Sequence, residues 1–361
     1  MSTAANKASS TVLDWTERGL VPDSVLRAGI RRLCRQRLKD IKAGDVEQSG
    51  QMTEAFIGYM NRSEIALVPE IANEQHYEVP PEFFNVVLGR HAKYSCCFWG
   101  DGALTLDQAE ADALRLSCER AGIEDGMSVL DLGCGWGSLS LWIAEQFPAC
   151  TVTSVSNSRP QGEHIRRQAL DRGLSNIEVH TADMNDFQAP GRYDRIVSVE
   201  MFEHMRNYRK LYGRLSQWLK PDGRFFMHIF CHRNTPYEFL DEGPSDWMGR
   251  HFFSGGIMPS DELPLRFQDH LRLIRRDRWS GTHYEKTANA WLMNMDSRKA
   301  EIIPILQKTY GTENAERWFQ RWRIFFMACA ELFAYNGGEE WFVSHYLFGL
   351  PVAPGAGAEP C

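Results

Sequence analysis

The sequence predicts an α/β fold: a parallel, doubly wound sheet of seven strands, with a helical extension before it and an insertion late in it. From residue 127 onward, five short apolar runs alternate with segments of helical period, and that alternation builds parallel sheets through right-handed crossovers. A cluster of glycines closes the first apolar run, where a strand must turn sharply into a helix. No repeat shows at solenoid periods, so the alternation belongs to one sheet and not to an array.

Residues 23–71 carry helical periodicity, with Val25, Ile30, Leu33 and Leu38 followed by Phe56, Tyr59 and Met60. The aromatic, proline-containing NEQHYEVPPEFF (73–84) leads into a short helix, and KYSCCFWGDG (93–102) reads as a tight loop. LTLDQAEADALRLSCERAG (104–122) is a helix started by Thr105 and Asp107 and stopped by Gly122. The core then runs strand MSVLDLG, helix SLSLWIAEQFP, strand CTVTSVS, helix QGEHIRRQALDRG and strand IEVHTAD. Strand YDRIVSVE, helix MRNYRKLYGRLSQWLKPDG with a proline–glycine stop, and strand RFFMHIF complete it. Residues 232–270 interrupt the alternation and are rich in aromatics, Gly and Pro, which suits a lid over a site. LRLIRRDRWS reads as a sixth strand, helices are expected at 287–309 and 312–335, and EEWFVSHYLF (339–348) as the last strand. The expected division is an extension over 1–72, a domain over 73–350 and a flexible tail over 351–361; residues 1–12 read as disordered.

The 361 residues are 43% hydrophobic, enough for one large domain with additions. A net charge of -7 argues against a nucleic-acid partner. The basic stretch Arg27–Lys42 reads as the solvated face of an amphipathic helix, with peripheral membrane contact as the alternative. No run of about 18 apolar residues could span a membrane. The N-terminus lacks the apolar segment of a secretory signal. Nine cysteines, with only Cys96 and Cys97 close together, give no zinc-type pairs and fit free thiols in a reducing cytoplasm. Exposed apolar residues in 23–71 are compatible with a homodimer or a monomer.

VLDLGCGWG (129–137) is a strand, a glycine loop and a helix start. Gly133, Gly135 and Gly137 let the backbone approach a ligand, and the following helix aims N–H groups at it. A dinucleotide site wants G-x-G-x-x-G and an acid ending the second strand. Here the spacing is G-x-G-x-G after Asp131, and the second strand ends in SVSNS without an acid. That pattern points to S-adenosylmethionine (SAM) and to a class I SAM-dependent methyltransferase fold, which is Rossmann-like. Asp183, ending the third strand, could accept a hydrogen bond from an adenine amino group; helix capping is its plainer role.

The chain resembles plant coclaurine N-methyltransferases and their benzylisoquinoline relatives, within the wider cyclopropane-fatty-acyl-phospholipid synthase superfamily. The resemblance runs from about 73 to 350. It is carried by QHYEVPPEFF, KYSCCFWGDG, VLDLGCGWGSLSLWIA, SNSRPQ, YDRIVSVEMFEHMRNY, HIFCHR, DWMGRHFFSGGIMPS, GTHYEKTANAWLMNMD and AELFAYNGGEEWFVSHYLF. It implies that Tyr94 and Ser95 close over SAM, that Asn157 and Gln161 hold its ribose and amino-acid end, and that Asp183 and Met184 meet the adenine. It also implies that Tyr77, Trp322, Phe325 and Tyr335 line a pocket for a small amine; plain core is the alternative for each.

EMFEHM (200–205) follows the fourth strand, at the carboxyl edge where such sheets bind ligands. The first turn of the next helix would present Glu200, Glu203 and His204 there; their neighbours Met201, Phe202 and Met205 are not those of a solvated cap. An alkyl amine, with a pKa of roughly 10, is protonated at neutral pH and has no free lone pair. Glu200 suits an anchor for that cation, and Glu203 with His204 a base for its proton. The rival acceptor is a lipid double bond. Cyclopropane synthases resemble this chain at Cys96, Glu203, His228 and Tyr335, positions that hold a bicarbonate base. The amine enzymes usually carry serine at the position of Cys96; the lipid enzymes carry a small residue at that of Glu200. A non-catalytic SAM-binding protein would be expected to have lost the acid–base group, which is present here.

Overall fold

A computed structural model describes residues 12–67, 79–243 and 246–351 of the chain. Residues 1–11 and 352–361 of the two expected flexible ends, and Tyr77, lie outside the described residues.

The helical reading of 23–71 becomes two helices, α1 (Asp23–Asp40) and α2 (Val46–Arg62), separated by a turn; the Asp45 side chain caps α2 by accepting the Gln48 N–H. A short α3 (Pro81–Val87) follows. Then comes α4 (Leu106–Ala121), with the Thr105 capping box at its start and Gly122 at φ +65° at its end. The core runs β1 (Ser128–Leu132), α5 (Ser138–Gln146), β2 (Thr151–Ser156), α6 (Arg159–Asp171), β3 (Ile177–Thr181) and β4 (Tyr193–Val199). After a 3-10 turn (Phe202–His204) come α7 (Tyr208–Trp218) and β5 (Leu219–His232). The proline–glycine stop is not a separate loop: Lys220–Gly223 lies inside β5, where the register against β4 shifts between Tyr193 and Arg195.

Within 232–270, β6 (Tyr237–Glu238) pairs with β7 (Ile257–Met258), and α8 (Trp247–His251) and a 3-10 turn (Leu263–Phe267) accompany them. The sixth strand is β8 (Arg272–Trp279). The helix expected at 287–309 is two helices, α9 (Gly281–Ser297) and α10 (Lys299–Tyr310), broken at Arg298. The Ser280 side chain accepts the Thr282 N–H and so starts α9 earlier than expected. Then come α11 (Ala315–Ala334) and β9 (Trp341–Gly349).

The sheet order is β3-β2-β1-β4-β5-β9-β8. The first five strands are parallel; β9 slots between β5 and β8 and runs antiparallel to both. Side chains alternate between faces, as the two-residue period of strands requires. Val129, Val152, Val197 and Phe226 pack on one face with Leu114, Cys118 and Ile143. Leu130, Leu132, Val155, Ile196, Phe225 and Met227 pack on the other with Leu211, Tyr212 and Leu215. The basic stretch of α1 is partly tied down: Arg27 and Arg31 meet Glu331 of α11 at 3.0 and 2.6 Å. Among the described residues no helix is long and apolar enough to cross a membrane. The sheet thus sets the carboxyl ends of β1, β2 and β4 side by side, with β5 next to β4, β9 beyond it, and α9 and α11 packed against β9.

Candidate active site

The glycine loop leaves β1 with Gly133, Gly135 and Gly137 at φ +73°, +54° and +82°. The three do different work. A Cβ on Gly133 would lie 2.6 Å from Met201 Cγ, and one on Gly137 would lie 2.6 Å from Ile165 Cγ1. Those two glycines allow close packing. A Cβ on Gly135 would meet nothing within 4 Å, so its backbone borders open space. That space is a cavity lined by Gly133, Gly135, Asn157, Gln161, Asp183, Met184, Glu200 and His204. It adjoins a second, lined by Lys93, Tyr94, Ser95, Asp131, Gly135 and again Gln161 and Glu200. The expected cofactor residues are therefore brought together, except Gly137, which supports the loop from behind.

Several of them are held by neighbours. Asp131 accepts from Ser140 Oγ at 2.6 Å, and burial pushes its carboxyl up to about 6. Gln161 accepts from Ser156 Oγ at 2.7 Å, while its buried Nε2 has no hydrogen-bond partner. Asp183 fills both roles expected of it: Oδ1 accepts the Asn185 N–H at 2.8 Å, and the residue lines the cavity. The donor left over on Gln161, the bare backbone at Gly135 and the acid at Asp183 fit a nucleoside with an amino-acid tail.

A third cavity lies beyond Glu200 and His204, which line it as well as the first. Its wall is aromatic and aliphatic: Tyr94, Phe230, Phe253, Tyr284, Trp291, Phe325 and Phe333. Phe325 is in that wall, stacked on Phe252 at 4.5 Å. Trp322 is not. It is fully buried in the core against Phe83 at 4.7 Å. Tyr335 also stands aside, edge-on to Trp341 at 5.7 Å. His228 is fully buried behind Glu200 and lines none of the three cavities.

The expected helix turn at EMFEHM is instead a strand end and a 3-10 turn. Glu200 leaves β4 at φ +49°, a conformation that costs an L-residue about 1–2 kcal/mol and so marks a constrained site. Its carboxylate accepts three hydrogen bonds: Cys96 N–H at 2.9 Å and His228 Nε2 at 3.2 Å on Oε1, and Tyr284 O–H at 2.7 Å on Oε2. Burial pushes this carboxyl up, but the His228 hydrogen bond, the Lys93 charge and the Cys96 N–H outweigh it and hold the group below the ordinary value. Glu203 is the reverse. It is fully buried, accepts only the Phe230 N–H at 2.8 Å, and leaves Oε2 unpartnered. Burial and then the Glu200 charge push its carboxyl well up. Burial and then Arg206 push His204 down to about 4, so it is neutral at physiological pH.

Three supporting residues escaped the sequence reading. Glu110 accepts the N–H groups of Gly89, His91 and Lys93 and so clamps the loop that carries Tyr94 and Ser95. Its signal was an acid among the alanines of one helix face, Ala109 and Ala113. Lys93 is buried and donates to Ser95 Oγ and the Cys96 carbonyl, both at 2.6 Å. Tyr284, the donor to Glu200, sat unremarked in GTHYEKTANAW.

The family model for mycolic acid cyclopropane synthetase matches residues 68–339. An (S)-coclaurine N-methyltransferase of Thalictrum flavum subsp. glaucum is 38% identical over 93% of this chain and 94% of its own length. A crystal structure of coclaurine N-methyltransferase bound to N-methylheliamine and S-adenosylhomocysteine (SAH) superposes with a TM-score of 0.91 at 36% identity, covering 95% of this chain and 99% of that one. The cyclopropane-fatty-acyl-phospholipid synthase of Escherichia coli is more distant, 28% identical over 75% of this chain and 66% of its own. With its glycine cradle and adjoining aromatic cavity, the chain belongs to the mycolic acid cyclopropane synthetase family, on the side of the coclaurine N-methyltransferases, and is a SAM-dependent methyltransferase.

Proposed function

We propose that this enzyme methylates the nitrogen of a small cyclic or aromatic amine. The observation that carries this reading is Glu200, an ionised carboxylate in the shared wall of the cofactor cavity and an otherwise aromatic one. A cationic amine with an apolar body matches such a wall, and the rings of Tyr94, Tyr284 and Trp291 add cation–π attraction.

When bound, SAM supplies a methyl already activated by its sulfonium. The chain's own task is to orient the amine, exclude water and leave a lone pair on its nitrogen. Glu200 draws the ammonium to the boundary between the cavities. His204, neutral and in the same wall, receives its proton. Glu203 is kept protonated beneath the site, so only one negative charge faces the amine. Residues 232–270 supply Phe239, Met248, Phe253 and Met258 to the aromatic cavity, which supports their reading as a lid.

The lipid reading is weakened by the same carboxylate. Glu200 already takes the Cys96 N–H and faces His228, two of the positions that would hold bicarbonate, and Tyr335 is not at the cavity. The test offers SAM with an isotopically labelled methyl, a pool of secondary and tertiary cyclic amines, and unsaturated phospholipid vesicles. Labelled CH3 on an amine, increasing with pH as free base accumulates, is the expected result. Labelled CH2 in the lipid fraction, dependent on bicarbonate, would overturn it.

A further inference from the structure

Behind Glu200 runs a row of three side chains from three different elements, two of them fully buried rings. Arg120, in the last turn of α4, places Nη1 2.7 Å from Nδ1 of His345 on β9. Nε2 of His345 lies 2.9 Å from Nδ1 of His228 on β5, its direct partner across the antiparallel pair. Nε2 of His228 lies 3.2 Å from Glu200 Oε1. Both imidazoles are at most 1% exposed. Trp279 closes over them at 4.3 and 5.4 Å, and Phe226 covers His345 at 5.1 Å.

A guanidinium can only donate. Nδ1 of His345 must therefore accept, which leaves the ring proton of neutral His345 on Nε2. That N–H donates to Nδ1 of His228, so the proton of His228 also sits on Nε2 and points at Glu200. One cation at the far end fixes both tautomers. Burial pushes both rings below the ordinary histidine range, so neither adds a second proton at neutral pH. Arg120, Lys93 and Arg275 around His345 favour neutral rings; the Glu200 carboxylate beyond His228 favours a charged one, and burial outweighs it.

We propose that Arg120 is a positioning residue for Glu200: through His345 and His228 it sets the direction of the hydrogen-bond row and keeps an N–H donor on the carboxylate inside the cavity. The row holds and does not conduct. Nε2 of His228 is already protonated, so a proton arriving at Glu200 has no exit that way and must leave from the cavity side. The consequence for amine binding rests on Glu200 being the amine anchor; the tautomer assignment does not.

The test is two-bond nitrogen–proton correlation spectroscopy on intact protein labelled with 15N-histidine and saturated with SAH. Both His228 and His345 are expected to be neutral and protonated on Nε2 at pH 7. Arg120→Met is expected to convert either ring at least partly to the Nδ1–H form and to weaken binding of tetrahydroisoquinoline by about 5- to 20-fold. Arg120→Lys, which keeps a cationic donor, should retain the wild-type tautomers. In a His345→Gln background, where the amide can itself donate to His228, Arg120→Met should change little further. An Nδ1–H ring in the wild-type protein, or unchanged tautomers in folded Arg120→Met, would overturn the proposal. The wild-type spectrum alone decides if the variant does not fold. Altered tautomers with unchanged amine affinity would uphold Arg120 and refute Glu200 as the anchor.

Discussion

Replacing Glu200 with glutamine tests the charge at the heart of the site while leaving its shape intact. The amide oxygen can take the place of Oε1 and accept from Cys96 N–H and His228 Nε2. The amide nitrogen then faces Tyr284, whose hydroxyl can rotate and accept in place of donating. The freed Tyr284 O–H and the second amide N–H can point into the cavity that both residues line, so the stability change should stay within about 2 kcal/mol. The amine fares differently. A unit charge about 4 Å from a carboxylate, at the effective dielectric of a protein site, is worth roughly 4 kcal/mol. Desolvation and residual dipoles reduce that to about 2–4 kcal/mol, or roughly 30- to 1,000-fold in affinity. The assay is calorimetric titration of a tertiary cyclic amine, the proposed product class, into SAH-saturated enzyme, beside kcat/KM from labelled methyl transfer. SAH is the right partner because it lacks the sulfonium charge of SAM, which would add its own interaction with a carboxylate in the same cavity. SAH affinity should hold within about threefold. Amine affinity within threefold of wild type, with turnover intact, would refute Glu200 as the anchor.

The two glycines should separate packing from binding. Gly133→Ala drives a Cβ to 2.6 Å from Met201 Cγ at φ +73° and should cost about 2–4 kcal/mol, read as a drop in Tm. Gly135→Ala, at φ +54° over open space, should cost only about 1–2 kcal/mol yet weaken SAH binding tenfold or more, read by titration. Tyr284→Phe removes the 2.7 Å hydrogen bond to Glu200 Oε2 and should lower kcat/KM for the amine about tenfold or more, at unchanged SAH affinity. Acid should destabilise the fold through its histidines. Burial pushes His204, His228 and His232 from 6.5 to about 4, so the unfolded chain binds more protons between those values. Their contribution is full above pH 6.5 and is lost as pH falls towards 4, several kcal/mol in all (~3 per fully buried ring). Buried carboxyls with raised values, Asp131, Glu110 and Glu203, offset that fall, so urea midpoints of wild type and His232→Gln are compared at pH 7 and pH 5: the variant should lose less stability, and equal losses would contradict the burial of that ring.

The parallel half of the sheet was legible because local signals determine it. Apolar runs of strand length, a capping box at Thr105 and a glycine stop at 122 all act within a few residues. The position of β9 was not legible, because insertion between β5 and β8 is decided by pairing over more than a hundred residues. The site shows the same division. EMFEHM was recognisable from acids among Met and Phe, but not that Glu200 would face the cavities while Glu203 turned beneath β5. In α11 the cavity wall follows one helix stripe, Phe325, Cys329, Leu332 and Phe333. Trp322, three residues before Phe325, could have extended that stripe. Packing against Phe83 and Phe252 turned it into the core instead, a choice no local spacing contains.

Two neighbouring carboxyls with opposite surroundings explain why the segment carries a pair of acids at all. Three donors hold Glu200 ionised; burial and then the Glu200 charge keep Glu203 protonated against the single Phe230 N–H it accepts. The pair therefore presents one negative charge. That count matters, because each anion near an amine favours its protonated form, and a second would make the lone pair harder to free. Glu203→Gln decides the point. Its amide oxygen can keep the Phe230 N–H bond, and its NH2 replaces a group already neutral. Stability near pH 4, where both forms are neutral folded and unfolded, should change by about 1 kcal/mol or less, and amine affinity at pH 7 by about threefold or less. Stability should rise relative to wild type as pH increases from about 4.5, because the unfolded wild-type carboxyl ionises there while the folded one stays protonated. Turnover reduced by a hundredfold or more with amine affinity preserved would mean that Glu203 ionises during the cycle. The proton assigned to His204 would then belong to Glu203.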